Sequence, residues 1–146
     1  MRTLFLLIFV AAGSLVLSAA DKVAVVPDGA SASGPFSPGI QAGGTLYCSG
    51  QTGRTKDGKT PEAFEDEVKA ALDAGNEILK KAGYSVEDVV AVQVYLTDME
   101  LFSRMNAVYT KFFPQPRPAR TTVGVAKLVG TSRIEITFTA WKRQAR

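Results

Sequence analysis

Pro118-Ala119-Arg120-Thr121-Thr122-Val123-Gly124-Val125, read with Arg133-Ile134-Glu135-Ile136-Thr137-Phe138, decides the fold of this 146-residue chain. Both runs alternate with the period of a β-strand. In the second, Ile134, Ile136, Phe138 and Ala140 point one way, and Arg133, Glu135, Thr137 and Thr139 the other. In the first, Thr121, Val123 and Val125 oppose Arg120, Thr122 and Gly124. With the apolar rows turned to a helical layer, Arg120 and Glu135 are expected together on the opposite face. An arginine fork grips a carboxylate bidentately. A carboxylate nearby can orient and deprotonate a water. The pair suggests hydrolysis of a small organic acid that uses neither metal nor histidine.

Upstream of these strands, the chain alternates strand and helix signals. Asp98 caps an expected helix over residues 99–113, with Phe102, Met105, Tyr109, Phe112 and Phe113 on its apolar side. Pro114, Pro116 and Pro118 stop it. Residues 89–96 are β-branched and read as a strand. A first helix starts at Thr60-Pro61, as N-cap and first helical residue. Phe64, Val68, Ala71, Leu72, Gly75, Ile78, Leu79 and Ala82 form its stripe, and Gly83 suits its C′ position. Thr45 to Ser49 reads as a strand, as does Val23 to Val26. Residues 27–44, rich in Gly, Ser and Pro, read as loop. Two helices cover only one face of such a sheet, and self-association is the simplest cover for the other. No internal repeat, long linker or second domain is evident.

Composition narrows the chemistry. An apolar content of 46% suits one packed domain. The chain has no histidine, which excludes Ser-His-Asp and Cys-His catalysis and His-ligated zinc or haem. A single cysteine, Cys48, allows neither an intrachain disulfide nor a Cys-only metal cluster, and a buried, inert thiol is expected. Neither a metal nor a cofactor is implied. Lysines and arginines are scattered, so no nucleic-acid partner is expected.

The N-terminus reads as a signal peptide over residues 1–20. Met1-Arg2 is a short positive region, and residues 4–17 are apolar apart from Gly13 and Ser14. Ser18-Ala19-Ala20 supplies the small residues that a signal peptidase requires. Cleavage after Ala20 lowers the formal charge of +3 by one. The mature protein, residues 21–146, is expected in a periplasm or outside the cell, with no stable membrane anchor.

Taken together, Gly34-Pro35-Phe36-Ser37, Tyr47-Cys48-Ser49-Gly50-Gln51, Val94-Tyr95-Leu96-Thr97-Asp98-Met99, Asn106-Ala107-Val108-Tyr109, Pro118-Ala119-Arg120-Thr121-Thr122-Val123 and Ile134-Glu135-Ile136 run through nearly all the mature chain. In this the chain resembles the RidA (YjgF-like) reactive-intermediate deaminase family. The resemblance implies a single-domain, chorismate-mutase-like α+β fold. Its mixed sheet has about six strands, two helices pack on one face, and the chain assembles as a homotrimer around a central barrel. It implies hydrolysis of enamines and imines, such as 2-aminoacrylate and 2-iminopropionate, to 2-keto acids and ammonia, in clefts between subunits. The family's carboxylate-binding arginine falls on Arg120 and its water-positioning glutamate on Glu135. The backbone at Ser49-Gly50 and the Asn106 side chain fall at cleft positions. The chain departs from the family in Phe36, where a tyrosine is common, and in Thr137, where a second acid is common. Two other functions are weighed. One is a non-catalytic binder of small carboxylates, or a holdase-like protein. The other is an endoribonuclease, a label that some relatives carry, against which the missing histidine and diffuse charge count.

Overall fold

The helical stripe near residue 70 builds the core. In the computed structural model, which describes residues 22–31, 33–55 and 57–143, α1 (Phe64–Lys81) buries Phe64, Val68, Ala71, Leu72, Gly75, Ile78 and Leu79. Fully burying one such aliphatic side chain contributes about 1.5–3 kcal/mol. The C-terminus closes as its glycine predicts. Gly83 sits at φ 76°, its N–H donates to the Lys80 carbonyl, and the Tyr84 N–H donates to the Leu79 carbonyl. These are the two bonds of a Schellman motif. The helix starts later than Thr60-Pro61 suggests. Ala63 is the N-cap, without a side-chain bond, and the Thr60 hydroxyl instead pairs with that of Thr131 at 2.8 Å. α2 (Phe102–Phe112) follows a 3-10 turn over Met99–Leu101. Asp98 does cap, but it caps this turn, accepting from the Glu100 N–H at 2.9 Å.

The strands are β1 (Lys22–Val25), β2 (Gly39–Ala42), β3 (Thr45–Cys48), β4 (Gln51–Thr52), β5 (Val89–Leu96), β6 (Ala119–Gly124) and β7 (Ile134–Trp141). They form one seven-stranded sheet in the order β1-β2-β3-β7-β5-β6, with β4 also paired to β7. Among the described residues β5 and β6 make the one parallel pair, and α2 supplies the crossover that a parallel pair requires. β2 lies inside the segment expected to be loop. Gly39 is there because of close packing: a Cβ on it would come within 2.7 Å of Ile78 on α1. Gly43, at φ 56°, then turns the chain from β2 into β3. The proposed signal segment and cleavage site lie outside the described residues.

Both helices cover one face of the sheet. Against them β7 buries Ile134, Ile136, Phe138 and Ala140, and β5 buries Val92, Val94 and Leu96. Gly75 leaves room for the Phe138 ring, whose Cδ2 would lie 2.8 Å from a Cβ there and whose Cε2 would lie closer still. A buried ion pair ties this layer to the start of β7. Glu67 is 0% exposed, and its carboxylate accepts from the Arg133 N–H and Nε, each at 2.6 Å. Arg133 Nη2 also donates to the Pro61 carbonyl at 2.8 Å and to that of Glu62 at 3.1 Å.

The register corrects one expectation. Tyr95 lies opposite Glu135, so Glu135 does face away from the helices. In the parallel pair, however, Arg120 lies opposite the buried Val92, Thr122 opposite Val94, and Gly124 opposite Leu96. Arg120 therefore faces the helices, and Thr121 and Val123 face away. The edge strand is amphipathic in the sense opposite to the one its residue types suggest, because α2 supplies an aromatic shelf for the arginine.

Candidate active site

Arg120 is held by aromatic faces. Its guanidinium carbon lies 4.5 Å from the Tyr109 ring centroid and 5.6 Å from that of Phe102. Nη1 approaches the Met105 sulfur at 3.8 Å. Such cation–π contacts are worth about 0.5–2 kcal/mol each, depending on desolvation. They fix the fork without using a carboxylate. Among the described residues no acid forms an ion pair with Arg120; the salt bridges present engage Lys59, Lys69, Lys80, Lys81, Arg104 and Arg133 instead. The guanidinium opens into a cleft of about 480 Å³ lined by Asn106, Tyr109, Thr110, Arg117, Pro118 and Arg120. The structure thus brings Asn106 and Arg120 together.

Two residues of this half were not singled out as functional by the sequence reading. The Tyr109 and Thr122 hydroxyls are buried without a hydrogen-bond partner. Burial pushes the Tyr109 phenol above its ordinary pKa, against a smaller downward pull from Arg120 and then Arg117. The phenol is therefore a neutral donor at physiological pH. Their signals were positional. Tyr109 is one helical step from Asn106, and Thr122 is the next side chain along the Arg120 row.

Ser49, Gly50 and Glu135 form a second cluster. β4 pairs with β7 so that Thr52 lies opposite Glu135, which lays the Glu135 side chain over Gly50. A Cβ on Gly50 would come within 2.7 Å of the Glu135 Cδ and closer still to Oε1. Glycine is required here by close approach, not by backbone sign, since Gly50 is not among the positive-φ glycines. Gln51 Nε2 donates to both the carbonyl and the hydroxyl of Ser49 at 3.0 Å, and the Ser49 N–H donates to the Pro38 carbonyl at 2.8 Å. The segment carrying Phe36 therefore ends beside Ser49, with Phe36 itself 64% exposed. Thr137 donates to Gln93 at 2.8 Å on the Glu135 side of the sheet. Cys48 is buried behind this cluster, and burial pushes its thiol up to about 12.

Within one chain these clusters do not meet. β5 lies between Arg120 and Glu135, which are on opposite faces. Two strand spacings amount to about 10 Å, and the register offset adds about 10 Å along the strands. Arg120 with Asn106 can bind an anion, and Glu135 over Gly50 can hold a water. An acid gripped by Arg120 does not reach the Glu135 of its own chain.

Comparison with known proteins gives a consistent result. A family model described as endoribonuclease L-PSP matches residues 27–142. A RutC family protein of Pyrococcus horikoshii is 41% identical over 113 residues, which is 75% of this chain and 88% of that one. A protein of Dermatophagoides farinae named 2-iminobutanoate/2-iminopropanoate deaminase is 38% identical over 106 residues, 70% of this chain and 82% of that one. The crystal structure of the YjgF gene product of E. coli superposes with a TM-score of 0.74 at 32% identity, covering 82% of this chain and 94% of that one. The shared fold is the chorismate-mutase-like α+β fold.

Proposed function

Because this chain belongs to the endoribonuclease L-PSP family, that of the YjgF and RidA proteins, we propose that it hydrolyses 2-imino acids and their enamine tautomers to 2-keto acids and ammonia. The observation that carries this reading is Arg120, unpaired among the described residues and stacked on Tyr109 at the mouth of a cleft. The substrate carboxylate docks on the Arg120 fork. Glu135 holds a water and accepts one of its protons as the oxygen attacks the imine carbon. The C=N π electrons move to nitrogen, which takes up a proton. In the tetrahedral carbinolamine the nitrogen takes up a second proton, Glu135 removes the proton of the hydroxyl, and ammonia leaves as the C–O bond becomes a carbonyl. An imine is already electrophilic, so proximity and orientation supply most of what is needed.

The two clusters complete each other only if a neighbouring copy brings its Ser49, Gly50 and Glu135 to the Arg120 cleft. The homotrimer supplies such a neighbour. Its support is the sheet face away from the helices, which carries Ile40, Tyr47, Tyr95, Val123 and Trp141 beside Glu135. Tyr47 and Trp141 are 52% and 51% exposed in the single chain. That face needs a cover. The missing histidine and the diffuse charge count against the ribonuclease label of the family description. Export is part of the same reading: residues 1–20 are a signal peptide, and the protein acts in a periplasm or outside the cell on imines formed there.

The test is a coupled assay. An amino-acid oxidase generates imines from alanine and 2-aminobutanoate, and ammonia release is followed with and without the protein. Acceleration over the spontaneous rate is expected. No acceleration on any imine, with the protein folded and trimeric by light scattering, moves the non-catalytic carboxylate binder ahead. N-terminal sequencing of protein from its native host is expected to begin at Asp21, and an intact Met1 would remove the export reading.

A further inference from the structure

The Arg120 cleft holds a second arginine that the carboxylate clamp does not use. Arg117 is fixed at the end of α2, where its Nη2 donates to the Thr110 carbonyl at 3.3 Å. A guanidinium has five N–H donors, so one long bond leaves most of the fork available. Pro116 and Pro118 flank it and hold their own φ angles, restricting the approach of the segment to the cleft. Among the described residues no acid pairs with Arg117, as none pairs with Arg120. The cleft lining thus contains two cations and no anion. Tyr109 lines the same cleft, only 3% exposed, with its hydroxyl unpartnered. Both arginines line the same cleft as that hydroxyl's ring. A monocarboxylate neutralises only one of them.

We propose that this cleft selects 2-imino acids carrying a second carboxylate, with Arg120 gripping the carboxylate next to the imine, Arg117 gripping the distal one, and the Tyr109 hydroxyl donating between them. Imines derived from acidic amino acids are then the preferred substrates. This inference rests on the deaminase reading for its substrate class, but its test does not require turnover.

The test is calorimetric titration with keto-acid products. Pyruvate has one carboxylate, 2-oxoglutarate has two, and inorganic phosphate reports a general anion sink. The expected result is binding of 2-oxoglutarate at least tenfold tighter than pyruvate, the size of one charge-assisted contact. Arg117→Gln should collapse that ratio toward one, and Arg117→Glu should invert it. Arg117 is exposed, so both variants should keep the circular dichroism of the parent. Equal binding of the two keto acids, a preference that survives Arg117→Gln, or phosphate binding as tightly as 2-oxoglutarate each overturns the proposal. In the coupled assay the same preference should appear for the imine of glutamate over that of alanine. Absence of hydrolysis there removes the deaminase reading, while the binding ratio still decides this one.

Discussion

Gly50→Ala tests the proposed water-holding role of Glu135 separately from the rest of the fold. The substitution places a methyl group 2.7 Å from the Glu135 Cδ and 3.0 Å from its Cγ. Ordinary contact begins at 3.4 Å, so the carboxylate must swing away. The clash is with the end of a flexible side chain, and Gly50 does not use a positive φ. Backbone disruption is therefore not expected. The alanine also lowers the entropy of the unfolded chain, worth about 0.4–1 kcal/mol in its favour, so stability should change by less than about 1 kcal/mol. Activity should not be spared. Moving a catalytic group by about 1 Å can cost on the order of 100-fold. In the coupled ammonia assay, Gly50→Ala should lower kcat by about that factor and leave keto-acid binding nearly unchanged. A double-mutant cycle then separates the cause. If the alanine acts by displacing Glu135, it should cost little more in a Glu135→Ala background, and the two effects should be strongly non-additive. Wild-type turnover by folded Gly50→Ala, or effects that simply add, would refute the assignment of Glu135 as the group that holds water.

Arg120→Lys keeps a charge but loses the planar fork and the stacking on Tyr109, so product binding should weaken about 10-fold or more, with Arg120→Ala worse; titration with pyruvate measures both. Tyr109→Phe removes a buried hydroxyl that has no partner, so urea unfolding should show stability unchanged or raised by about 1 kcal/mol, while ligand binding falls; a clear loss of stability would mean that the hydroxyl serves the fold. Glu67→Ala leaves the Arg133 guanidinium without its carboxylate and opens a hole under β7, and should cost about 3 kcal/mol in the same measurement. Phe36→Tyr restores the hydroxyl common in the family, and the coupled assay should show activity equal or higher.

Much of this protein is legible from local chemistry. The stripe from Phe64 to Leu79 specifies α1 because side chains spaced by a helical turn share one face, and Gly83 ends it because a residue without a Cβ enters the left-handed region freely. The β-branched run of β5 and the alternation of β7 predict their strands and the buried row from Ile134 to Ala140. The segment matches in order along the chain also make the family legible, and with it Arg120, Glu135, Gly50 and Asn106 as candidates. Less visible were β2, whose Gly39 serves packing against Ile78, and β4, a two-residue strand too short for any period to register.

The face occupied by Arg120 could not be read from β6 alone. Alternation divides a strand into two rows but does not say which row faces inward, and a shift of one residue exchanges them. In β6 the rows hold Arg, Thr and Gly against Ala, Thr and Val, a weak contrast. The parallel register with β5 decided it, setting Arg120 opposite Val92 and beneath Tyr109. The same register set Arg120 and Glu135 on opposite faces of the sheet, apart within one chain. Sequence chemistry named the two groups because charge and hydrogen-bonding capacity belong to each residue. Their arrangement depended on tertiary structure, because strand pairing between distant segments sets which side chains can share one space.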